Sequence, residues 1–153
     1  MILTGFGNLK RRKTVLNRGL TVLVCLVLGL TVLDIAVVET VYRPTGNWSN
    51  IYVYHMVYWV LIAVLPLVGA YKTQSLAPLL TYVLFFFGVE DTLFYGLQGY
   101  LPSIYWGVNV ATLWQPTVST VLVLNVVGVS VCVVLLFLYQ QFLNAKQTMK
   151  VVW

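Results

Sequence analysis

The chain is 153 residues long, 60% hydrophobic and only 8% charged, with a formal net charge of +5. A water-soluble domain carries roughly a quarter charged residues to solvate its surface, so a soluble fold is excluded. Disorder is excluded too, because it requires low hydrophobicity.

The expected fold class is all-α: one domain, a bundle of four transmembrane helices, each built from about 20 apolar residues. Residues 19–38 form the first predicted span, and Lys10, Arg11, Arg12, Lys13 and Arg18 precede it. Its apolar run is longer than the roughly 7–15 residues of a cleaved signal peptide and contains Asp34, so it reads as a signal anchor. Glu39 follows at its far edge. A loop over residues 40–53 carries Arg43, Tyr42, Trp48 and Tyr52, with a glycosylation sequon at Asn47-Trp48-Ser49. The second span covers residues 54–71, with His55 at its start and Pro66 expected to kink it. Lys72 lies in the next connection. The third span covers residues 76–97, with Pro78 in its first turn, where no N–H is missed. A loop over residues 98–116 is again aromatic (Tyr100, Tyr105, Trp106, Trp114), as an interfacial belt would be. The fourth span covers residues 117–139, and Lys146 and Lys150 follow it. Continuous apolarity without alternation excludes a β-barrel.

Eight of the nine basic residues thus fall on one face, with Arg43 the exception. The positive-inside rule makes that face cytoplasmic and places both termini inside a cell membrane. The basic cluster fixes topology and is suited to anionic lipid.

The four carboxylates and the one histidine, Asp34, Glu39, Glu90, Asp91 and His55, all lie toward the opposite face. At 1.5 Å per residue, Asp34 is about 24 Å from Arg18, and Glu90 and Asp91 are about 20 Å from the inner end of their helix. A charged side chain in hydrocarbon costs about 3 kcal/mol, so such groups turn into the bundle, pair, or function. No basic residue stands at that depth; His55 and a back-folded Arg43 are the candidate partners. Glu90 and Asp91 point about 100° apart on a straight helix, and Gly88 offers a bend or a close helix contact. Asp91 alternatively bonds Tyr95 one turn on.

Three chemistries suit this set. A divalent metal takes carboxylates and an imidazole, with His55, Asp34, Glu90, Asp91 and Glu39 as ligands, although no paired ligand motif is present. A carboxylic acid acts as proton donor to a lipid-soluble substrate, with Glu90, Asp91 and Asp34 as the catalytic candidates. A cation or proton path is the third, but the cytoplasmic halves of the helices carry almost no ionisable residues.

Glu90-Asp91-Thr92-Leu93-Phe94-Tyr95 resembles the Glu-Glu-x-x-Phe-Phe helix motif of the small membrane-embedded lycopene cyclases, and Leu33-Asp34 partly resembles their Trp-Asp pair. This sequence departs from the pattern at Asp91, where the family has Glu; at Leu33, where it has Trp; and at Gly88 or Val89, where it has Pro. The resemblance spans one or two helix turns. It implies Glu90 as proton donor to a polyene, Asp91 as its partner, and Phe94 and Tyr95 as rings that stabilise a carbocation.

Other residues narrow the field. Cys25 and Cys132 form no Cys-x-x-Cys. One histidine excludes bis-histidine haem ligation by this chain alone. No phosphate loop, nucleotide fingerprint or nucleophile elbow is present, and no nucleic-acid-binding segment. Asn125 and Ser130, with Thr117, Ser119 and Thr120, suit interhelical hydrogen bonds, and Asn125 is also placed to complete the acidic site. Phe85-Phe86-Phe87 covers almost a full helix circumference, and few small-residue seams occur. Both features point beyond the lipid bilayer to other membrane subunits or a homo-oligomer as partners. An accessory subunit is therefore the alternative to an enzyme or metal-binding protein.

Overall fold

Along the first helix, burial recurs every three or four residues: Leu23, Val27, Leu30 and Thr31 are each at most 7% exposed. That is the helical period of a face turned onto neighbours, and Asp34 lies on the same stripe. A computed structural model of the protein describes residues 3–46, 51–101 and 117–151, and side chains from 13 to 46, 53 to 101 and 117 to 143. The expected sequon, Trp48, Tyr105, Trp106 and Trp114 lie outside the described residues. The side chains of Lys10, Arg11, Arg12, Tyr52, Lys146 and Lys150 do so as well.

The described chain is all-helical. Helix α1 (Leu3–Val37) continues into a π-helical turn (Val38–Tyr42) and a short α2 (Arg43–Thr45). Helix α3 (Ile51–Thr73) leads through a 3₁₀ turn (Ala77–Leu79) to α4 (Leu80–Phe86) and α5 (Val89–Leu97), and α6 (Val118–Val151) follows. Lys13–Thr45, Val53–Thr73 and Val118–Leu143 are long and apolar enough to cross a membrane, and Ala77–Phe86 with Val89–Leu97 makes a fourth if the bent pair is one span.

Helix α3 is continuous as a helix through Pro66, whose ring is fully buried. One expectation changes here: the continuous helix expected over residues 76–97 is instead broken, with a 78° bend between its halves. The cause is Gly88, whose φ of +75° is left-handed. A glycine in that conformation ends a helix at little cost. Phe87 N–H and Gly88 N–H close α4 on the carbonyls of Val83 and Phe85, and Thr92 N–H starts α5 on the Gly88 carbonyl.

The contacts give the path of each helix. Gly19 sits against Ser75, and Gly69 against Val22 and Pro78, so the early part of α1, the end of α3 and the start of the broken helix share one end of the bundle. Leu80 packs with Leu23, Val27 and Cys132; Phe87 packs on Gly128; Tyr95 packs with Val121. The broken helix therefore climbs steadily along α6 in spite of its bend, over about 16 Å of that helix. Helices α1 and α6 both extend beyond the same end of the bundle, and that is the basic end. Three of the close approaches between elements pass over a glycine: Gly19, Gly69 and Gly128. This is how a chain with few small-residue seams still brings its backbones together.

Outward faces are apolar throughout. Met56, Val57, Val60, Leu67 and Tyr71 on α3, and Val123, Val126, Val133, Phe137 and Leu138 on α6, are each more than half exposed. Apolar faces of this extent suit contact with lipid.

Candidate functional site

The break at Gly88 decides where the acidic residues go. Glu90 is in the first turn of α5 and is turned inward, 9% exposed. There it meets α3, whose Tyr58 hydroxyl donates to Glu90 Oε1 at 3.0 Å. One turn earlier on the same face of α3, the Tyr54 hydroxyl donates to Asp34 Oδ1 at 2.8 Å. The two tyrosine rings stack with centroids 5.8 Å apart, and Tyr42 from the π-helical turn stands 6.1 Å from Tyr54. Asp34 and Glu90, 56 residues apart in sequence, thus hang from adjacent rungs of one tyrosine ladder between α1, α3 and α5. Asp34 and Asp91 both lie within electrostatic range of Glu90.

The other candidates are distributed around this core. Asp91 is half-buried beside Glu90. His55 lies edge-on against Tyr54, centroids 5.3 Å apart, and within electrostatic range of Asp34. Arg43 does not fold back to the interior acids. It pairs with Glu39 one turn away, at 2.9 Å. Among the described residues, no Lys or Arg side chain pairs with Asp34 or Glu90. Nor do any three of the histidine, cysteine and acidic side chains come together so as to hold a metal ion. The set Asp34, Glu39, His55, Glu90 and Asp91 does not gather as metal ligands would.

The polar residues of α6 divide by position. The amide of Asn125 donates to the Thr92 hydroxyl, which itself donates to the Gly88 carbonyl at 3.3 Å. Asn125 therefore braces the break from α6. Ser130 turns back to the Val126 carbonyl of its own helix at 2.7 Å, rather than bonding a neighbouring helix. The Thr117 oxygen meets the Ser119 and Thr120 hydroxyls, each at 3.0 Å, and the Thr120 N–H at 3.4 Å. This is an N-terminal cap, the role that frees threonine from helix interiors, not an interhelical bond. Cys132 is buried with its thiol toward the Leu80 carbonyl, while Cys25 is exposed.

Tyr54 and Tyr58 are the residues of this cluster that the charge pattern alone does not single out. Their signal in the sequence is the spacing: two tyrosines four apart on an otherwise apolar helix share one face. A hydroxyl donor there serves a carboxylate without adding charge. Comparison of the chain with family models, with curated proteins and with solved structures finds no match in any of the three.

Proposed function

We propose that this is an integral membrane protein that crosses the cell membrane four times, with both ends cytoplasmic. Its interior Glu90–Tyr58 and Asp34–Tyr54 pairs form a proton-donating site for a hydrophobic substrate dissolved in the bilayer. The observation that carries the reading is Glu90, buried to 9% exposure, bonded at 3.0 Å to a neutral tyrosine, with no described Lys or Arg beside it. An ion-paired structural carboxylate would have the cation; a proton donor needs a site without one.

The chemistry follows from the geometry. Glu90 in its acid form gives the proton to the substrate. Tyr58 keeps its hydrogen bond to Oε1 and stabilises the carboxylate left behind. Asp34 and Tyr54 repeat the arrangement one turn away, in reach of His55. Phe94 is one helical turn beyond Glu90, and its ring meets that of Tyr95 edge-on at 5.1 Å. The polyene substrate is what the resemblance to lycopene cyclases implies, with Phe94 and Tyr95 as its rings; Tyr95 packs toward Val121 of α6, while Glu90 faces Tyr58 of α3. The test is to grow the source cell in deuterated water with wild-type protein or Glu90→Gln and to compare membrane lipid extracts. The expected result is a species with deuterium on carbon that disappears with Glu90→Gln and declines with Tyr58→Phe. Identical extracts would refute the reading.

A second reading, an accessory subunit or homo-oligomer, draws support from α6. That helix packs on α4 and α5 and leaves Val126, Val133, Phe137 and Leu138 uncovered. The mass of the particle in mild detergent separates the two: a lone chain favours the enzyme, a larger complex the subunit.

A further inference from the structure

The buried polar side chains among the described residues are Thr31, Ser75, Thr81 and Glu90. All four lie on α1 or on the stretch from the end of α3 into α5, the two sides of one seam. Thr81 is the anomaly among them. Thr21, Thr31, Thr40, Thr45, Thr73, Thr92 and Ser130 each donate to the carbonyl four residues earlier in their own helix. Thr81 is 0% exposed, yet its hydroxyl has no partner. A buried hydroxyl in that state is costly unless a water or a ligand completes it.

Its direction follows from the helix period of 100° per residue. Leu80 at the start of α4 and Phe87 just past its end meet α6 at Cys132 and Gly128, and Leu80 also reaches Leu23 and Val27 of α1. Tyr82 faces α3 and donates to the Ala63 carbonyl at 2.6 Å. Phe86 is exposed. Thr81 lies 100° from both Leu80 and Tyr82, away from Phe86, and so on the side of α1. Height can be read along α1. Ser75 is level with Gly19. Thr81 lies between Leu80, packed on Leu23 and Val27, and Tyr82, packed on the cluster of Leu30. That puts it about 10 Å above Ser75. Thr31 is about 18 Å above Gly19, and Tyr58 with Glu90 stands at the level of Leu30. Asp34 and Tyr54 continue the column. At its far end Glu39 Oε1 is also buried without a partner, beside the exit marked by Arg43. Successive stations are about 10 Å apart or less, a gap that two or three waters at about 2.8 Å spacing bridge.

We propose that this seam conducts protons along the bundle, with Glu90 as the central carrier and Thr81 as the hydroxyl that links it to the basic end. The basic-end half of the path needs no ionisable residue, because hydroxyls and water suffice. A proton arriving on water bonds to the Thr81 oxygen as Thr81 releases its own proton to the next water. Glu90 takes up that proton at its carboxyl as it releases its own to water on the side of Asp34, while Tyr58 and Tyr54 remain hydrogen-bond donors to the two carboxyl groups. No group is oxidised or consumed, and the membrane pH difference or potential is the driving force.

The inference rests on reading Glu90 as a proton-holding group. The test reconstitutes the full chain in phosphatidylcholine vesicles with an enclosed pH dye, a potassium gradient and valinomycin. Proton uptake above that of protein-free vesicles is expected. It is lost in Glu90→Gln, about tenfold slower in Thr81→Val, and regained in Thr81→Ser, which restores the hydroxyl. Uptake equal to protein-free vesicles overturns the proposal without any variant, and so does a Thr81→Val protein as fast as wild type. Infrared spectra of the same vesicles separate the two claims. A carboxylic-acid band lost in Glu90→Gln, together with no uptake, refutes conduction alone; no such band refutes both conduction and the proton-donor reading.

Discussion

Replacing Gly128 by alanine tests how α6 is seated on the broken helix. An added Cβ would stand 2.7 Å from Phe87 Cβ, 3.0 Å from Cγ and 3.2 Å from Cδ2. The nearest approach falls about 0.7 Å short of ordinary contact, taken as 3.4 Å. The atom in the way is Phe87 Cβ, which is held to the backbone one residue before the left-handed Gly88. Rotating the ring cannot relieve it, so α6 or the break must move. Overpacking of this kind costs about 1–3 kcal/mol. Gly29 is the control on the same chemistry, because a Cβ there meets nothing within 4 Å. Its alanine variant gains helix propensity, up to about 1 kcal/mol. Reversible unfolding in mixed detergent micelles, followed by tryptophan fluorescence, should therefore show Gly128→Ala destabilised and Gly29→Ala unchanged or stabilised. Equal stabilities for the two variants would refute the packing described for α6.

Two further outcomes follow from the site and the surface. Tyr58→Phe leaves a Glu90 oxygen unbonded in a buried setting and should cost about 1–3 kcal/mol. Tyr54→Phe affects a half-buried Asp34 and should cost less, about 0.5–1.5 kcal/mol, in the same unfolding assay. Cys25 is exposed and Cys132 buried, so a membrane-permeant maleimide should modify Cys25 first; mass spectrometry of tryptic peptides reads the order.

Much of the architecture is legible in composition. The runs around Asp34, Pro66, Phe86 and Asn125 are too long and too apolar for anything but helices buried in lipid or protein; the predicted spans lie on helices, but α1 begins well before residue 19 and α6 runs well past residue 139. The gathering of Asp34 and Glu90 is also foreshadowed, since both stand at one depth by helical rise alone. What is not legible is the break. Gly88 and its neighbours fit a continuous helix by hydropathy, and only the left-handed φ at Gly88, supported by Asn125 and Thr92 from the side, produces a 78° bend. The partners of the acids are hidden for a different reason. Charge balance directs attention to Arg43 and His55, yet Arg43 is taken by Glu39, and the acids are served by neutral hydroxyls that look like ordinary belt tyrosines. Thr81 carries no sequence signal, because a helical threonine ordinarily bonds a carbonyl of its own helix, as Thr21, Thr31, Thr40, Thr45, Thr73 and Thr92 do.

The central claim is that Glu90 holds a proton in a membrane interior with Tyr58 as its hydrogen-bond donor. Infrared difference spectroscopy of the chain in phosphatidylcholine vesicles, wild type against Glu90→Gln and Tyr58→Phe, measures this directly. The expected result is a carboxylic-acid carbonyl band that vanishes in Glu90→Gln and moves to higher frequency in Tyr58→Phe, where the hydrogen bond to Oε1 is lost. A wild-type spectrum without that band, or a band that Tyr58→Phe leaves in place, would contradict it.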